Sequence, residues 1–115
     1  MEQFESLTLP QRVVLLGVAD LSADEETPAK ANHIIRRSRA LAEMTDDVGT
    51  LTEAEVDSAL NRLEAEGLVT VPEMDDTSPV GKGRPAYDLH NDLENVLAAA
   101  DGDDRLGALV DAIDA

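Results

Sequence analysis

The sequence predicts a mainly α-helical domain carrying a small antiparallel β-hairpin, and three observations lead there. Two capping boxes, Thr8-Leu9-Pro10-Gln11 and Thr52-Glu53-Ala54-Glu55, each open a segment with helical apolar spacing. Gly67 ends the second of these just before Leu68-Val69-Thr70-Val71, a β-branched stretch, and Ala86-Tyr87-Asp88-Leu89 reads as its returning partner. Finally, 43% of the 115 residues are hydrophobic but only Phe4 and Tyr87 are aromatic. A core of Leu, Val, Ile and Ala suits packed helices better than a barrel or sandwich, and the length suits one domain.

Taken in order, the first helix starts at the Thr8 cap with Pro10 in its first turn, where the missing N–H costs nothing. Val13, Val14, Leu15, Leu16 and Val18 leave it almost no polar face, which predicts a central helix covered by the others. Ser22 to Glu26 is acidic and lacks apolar periodicity, so a solvated loop is expected. Thr27-Pro28 predicts the start of a second helix, cap followed by Pro. On it Ile34, Ile35, Ser38, Leu41 and Ala42 share one face, Lys30, His33 and Arg37 line its flank, and Arg36 lies nearly opposite the core. Thr45 to Thr50 reads as a turn. In the third helix Val56, Leu60 and Leu63 face inward, and Ala54, Ser58, Asn61 and Ala65 make the opposite, small-side-chain face, edged by Asp57 and Arg62. Pro72 to Pro85 is a long hairpin tip with Lys82 and Arg84. Asn91 with Glu94 predicts a last helix through Leu93, Val96, Leu97 and Ala100; Asp101-Gly102-Asp103-Asp104 interrupts it, and Leu106, Leu109, Val110 and Ile113 resume an apolar face. The expected division is a folded unit over 1–90 and a helical tail over 91–115, whose apolar residues Leu93, Val96, Leu97, Leu106, Leu109, Val110 and Ile113 are expected to pack against a second copy.

Charge and composition narrow the function. The net charge is −16, from 25 acidic and 9 basic residues, and the basic set is seven Arg to two Lys. This pattern resembles cytosolic proteins of extreme halophiles; at molar salt the Debye length is about 3 Å, so net charge hardly acts across an interface. The absence of Cys excludes disulfides and thiolate chemistry. No apolar run approaches a membrane span, and Met1 to Thr8 lacks the features of a signal peptide, so a cytoplasmic location without membrane contact is expected. His33 and His90 are too isolated to suggest a zinc site. No carboxylate pair lies in an apolar setting that would tune it for acid-base work, and Gly81-Lys82-Gly83 sits in a hairpin tip rather than before a helix. An enzyme, a bound cofactor and a metal are therefore not expected.

The run Ala59-Leu60-Asn61-Arg62-Leu63-Glu64-Ala65-Glu66-Gly67-Leu68-Val69 resembles the end of the recognition helix and the first wing strand of PadR-like and MarR-like regulators. Gly83-Arg84-Pro85-Ala86-Tyr87-Asp88-Leu89 is similar to the wing-closing motif of the PadR group, and the likeness covers roughly residues 9–89. The small, Cys-free haloarchaeal regulators of the response to reactive oxygen species are similar in length and character. This resemblance implies a winged helix-turn-helix with a C-terminal dimerisation helix, acting as a homodimer on double-stranded DNA to regulate transcription, a stress response included. It implies that the third helix enters the major groove, with Ser58 and Asn61 reaching base edges and Ala54 a thymine methyl. Arg62, Thr50 and Thr52 would contact phosphate, Lys82 and Arg84 on the wing would reach the backbone or minor groove, and Lys30, His33, Arg36 and Arg37 would hold the register. Glu53, Glu55 and Asp57 depart from such helices, whose phosphate-facing N-termini avoid acids. They favour an alternative, a winged helix that binds protein within a larger complex.

Overall fold

A computed structural model describes residues 2–71, 86–90 and 92–114. The chain runs through α1 (Glu2–Glu5), α2 (Leu9–Ala23), β1 (Ala29–Lys30), α3 (Ala31–Ala42), α4 (Glu53–Ala65), β2 (Val69–Thr70), β3 (Ala86–Leu89), α5 (Leu93–Asp101), a 3₁₀ turn (Asp104–Leu106) and α6 (Gly107–Asp114). The domain is mainly helical, with a small antiparallel sheet.

Both capping boxes form. Thr8 Oγ1 accepts from the Gln11 amide at 3.4 Å while Gln11 Oε1 accepts from the Thr8 amide at 2.9 Å. Thr52 and Glu55 make the same reciprocal pair at 3.1 and 3.0 Å. Each box satisfies two amides that a bare helix start would leave without partners. Gly67, at φ 76°, closes α4 in a Schellman motif, with the Leu68 amide donating to Leu63 and the Gly67 amide to Glu64.

α2 is the hub. Val13 through Ala19 and Leu21 are all buried, and α3, α4, α5, α6 and β3 pack around them. α3 comes close to α2 because Gly17 faces Ser38: a Cβ at Gly17 would lie 2.5 Å from Ser38 Oγ. Ser38 is fully buried, and its hydroxyl has no hydrogen-bond partner among the described residues.

The sheet differs from the expected hairpin by one strand. β2 pairs antiparallel with β3 in the register Val69↔Leu89 and Thr70↔Asp88, and β1 covers the other edge of β3 through Ala29↔Tyr87 and Lys30↔Ala86. The Thr27-Pro28 signal therefore precedes a strand, and α3 starts only at Ala31, without a side-chain cap. Lacking a donor N–H, Pro28 stands just outside the ladder, a placement as acceptable at a strand edge as at a helix start. α5 likewise begins at Leu93 with Asp92 as its cap residue; the expected cap Asn91 lies outside the described residues.

The tail corrects a larger expectation. Val96, Leu106, Leu109, Val110 and Ile113 are buried within the protomer, in one continuous core with α2, and Leu93 and Leu97 are half-buried against it. These side chains complete the first core instead of being held out for a second copy. A polar tie locks the junction: Arg12 on α2 reaches Asp103 at 2.7 Å and the Glu5 carbonyl at 3.1 Å, with its guanidinium 5.0 Å from the Phe4 ring centroid. α1, α2 and the turn before α6 are thereby joined through one arginine.

Candidate nucleic-acid interface

α4 holds the small-side-chain face. Val56, Ala59, Leu60 and Leu63 are buried, so helical periodicity turns Ala54, Ser58, Asn61 and Ala65 outward, and all four are exposed. The margins of this face are acidic. Glu53, Asp57 and Glu64 lie on one side, and Glu55 and Glu66 on the other. Arg62, the single base of the helix, forms an ion pair with Glu66 one turn on at 3.2 Å. Acids in the first turn suit the positive end of the helix dipole, which accounts for Glu53 and Glu55 as stabilisers of α4 whatever else the helix does. Across the sheet boundary, burial and the charges of Glu64 and Asp57 push the Tyr87 phenol above its usual pKa, so this neutral ring backs the acidic margin.

The groove beside Ala54 and Ser58 is completed by Thr8, Pro10 and Gln11 at the start of α2. Thr50 is exposed before the helix, and Thr52 is exposed with its oxygen engaged in the cap.

The basic residues of α3 line a different groove. His33, Arg36 and Arg37 flank Leu21 and Glu26, at the far end of α2. Pro10 and Leu21 are eleven residues apart on one helix, which separates the two grooves by about 16 Å at the helical rise. The expected contact residues thus form two patches at opposite ends of α2. Lys30, at the start of α3, is exposed, as are His33 and Arg36.

Arg37 departs from its expected role. Its guanidinium is held by Asp20 at 2.9 Å, Asp24 at 3.0 Å and Glu26 at 3.4 Å, and hydrogen bonding to Asp20 and then Asp24 drives its pKa above the usual value. Those acids belong to the end of α2 and the loop after it, so Arg37 clamps that loop to α3. Sequence periodicity placed Arg37 on the correct flank but had no means of showing that three carboxylates converge there. Arg39, which the sequence left without a role, donates from Nε to the Leu51 carbonyl at 2.8 Å and ties α3 to the segment entering α4.

Lys82 and Arg84 lie outside the described residues. Among the described residues no group of His, Asp and Glu side chains has metal-binding geometry, and no helix is long and apolar enough to cross a membrane. Comparison with protein-family models finds none that matches the chain, and no curated protein is similar to it.

Proposed function

We propose that this protein is a sequence-selective, double-stranded-DNA-binding transcription regulator of the winged-helix type, working as a homodimer in a high-salt cytoplasm. One observation carries the reading: α4 buries one side and leaves an opposite face of Ala54, Ser58, Asn61 and Ala65 open along its length. Side chains this short let a helix lie deep in a major groove, with Asn61 offering a bidentate donor and acceptor to adenine. Lys30, His33 and Arg36 supply a second contact about 16 Å away, a span suited to phosphates across a groove rather than to the same base pairs. Lys82 and Arg84 belong to this reading as backbone contacts of the wing. Of the seven apolar tail residues expected at a dimer contact, Leu93 and Leu97 are the two left partly open, so a dimer contact in this reading centres on α5.

The test is fluorescence polarisation at molar KCl against genomic fragments. Asn61→Ala is expected to cost about 1–3 kcal/mol at the preferred sequence and to relax one base position, while leaving random DNA unaffected. An equal loss on all sequences makes Asn61 a backbone contact, and no selective binding in the parent chain removes the reading.

The acidic margins of α4 favour a second reading, a winged-helix module that docks on a basic protein surface in a larger complex. Retention of a protein partner that depends on Glu53, Asp57 and Glu64, without selective DNA binding, would establish it instead.

A further inference from the structure

A cavity of about 330 Å³ opens between the end of α3 and the 45–51 turn, and it shares only Thr50 with the contact residues named above. It lies at the small end of the range for small-molecule sites. Its floor is apolar, formed by Ala42, Val48 and Leu51, which are 4%, 8% and 1% exposed. Arg39 and Glu43 stand one helical turn apart on the wall, and Asp46 faces them from the turn.

Residues spaced by four on a helix surface ordinarily pair when their charges are opposite. Arg39 and Glu43 form no ion pair; the Nε–H of Arg39 donates instead to the Leu51 carbonyl at 2.8 Å. That bond fixes the guanidinium plane and leaves its terminal N–H groups without a partner among the described residues. The cavity therefore presents an exposed guanidinium oriented through its Nε–H, exposed carboxylates of Glu43 and Asp46 at its rim, and a buried aliphatic floor. A simple anion satisfies Arg39 but is repelled by Glu43 and Asp46; a simple cation meets the converse.

We propose that this cavity binds a small aliphatic α-amino acid, its carboxylate on Arg39, its ammonium on Glu43 and Asp46, and its side chain over Ala42, Val48 and Leu51. Binding is measured on the full chain without DNA.

Amide shifts in ¹⁵N-labelled protein at molar KCl are followed during titration with leucine, N-acetyl-leucine and leucinamide, the last two each lacking one charge. Leucine is expected to give saturable shifts centred on residues 42–51, and each blocked compound to bind about tenfold or more weakly. Glu43→Gln, which removes the charge of a side chain with no hydrogen bond or ion pair among the described residues, is expected to weaken leucine about fivefold or more and to leave N-acetyl-leucine as tight or tighter. Shifts that are absent or linear in concentration, equal across the three compounds, or undiminished in Glu43→Gln overturn the proposal. Should a variant lose its fold, the three-compound comparison on the parent chain decides alone.

Discussion

At Glu25 the backbone adopts φ 60°, the left-handed region that glycine enters freely and other residues enter at a cost. The reason is the end of α2, where the Glu26 amide donates to Leu21 and the Glu25 amide to Ser22, the same closure that Gly67 provides for α4. Glu25→Gly is therefore expected to stabilise the fold by roughly 0.5–1 kcal/mol, read as a raised urea midpoint with unchanged slope. A second residue-scale expectation concerns Gly17 and Ser38. Gly17→Ala brings a methyl group to 2.5 Å from a buried oxygen and is expected to destabilise by about 1–3 kcal/mol. Ser38→Ala removes a hydroxyl that has no partner, so it is expected to be neutral or stabilising and to relieve most of the cost when combined with Gly17→Ala. Additive losses in that double-mutant cycle would show that the two side chains do not meet.

Among the elements, those announced by their own local chemistry were legible. Thr8 with Gln11 and Thr52 with Glu55 fix two helix starts because the cap is a bond between residues three apart, and Gly67 marks an end because only the left-handed conformation makes that closure cheap. The exposed face of α4 followed from the same helical period that buried Val56, Leu60 and Leu63. What stayed hidden depends on partners distant in sequence. β1 is only Ala29–Lys30 and exists because Ala86 and Tyr87 offer it a ladder. The clamp on Arg37 requires the end of α2 to fold back beside α3, and the union of tail and core requires residues 91 positions apart to meet at Arg12 and Asp103. That last element contact has a pH signature. Hydrogen bonds from Arg105 first, then Arg12, lower the Asp103 pKa from 3.8 to about 2. A depressed carboxylate pKa means that its stabilisation is fully present above 3.8 and is lost as pH falls toward about 2. The stability gap between the parent chain and Asp103→Asn is thus expected to be constant near neutral pH and to close across that acid window. A gap independent of pH there would show that the tie is not ionic.

For the whole molecule, the radius of gyration of 13.5 Å matches the roughly 13 Å expected of a compact chain of about this length, although the net charge is −16. Much of that charge lies on exposed carboxylates confined to a small surface, so self-repulsion opposes folding and is relieved by screening. The thermal midpoint is expected to rise steadily from low salt to molar KCl, with most of the gain below about 1 M, where the Debye length is still falling toward 3 Å. A midpoint insensitive to KCl would mean that the acids are balanced locally, as Arg37 and Arg105 balance theirs.

Burial of α6 against α2 also sets an order of events during synthesis. The central helix α2 is translated early, whereas Leu106, Leu109 and Ile113, which seal one of its sides, follow some ninety residues later. Until then a nascent chain holds an oily flank toward its neighbours on the polysome. Halting translation before residue 103 is therefore expected to leave a product that chaperones retain, not a smaller working domain.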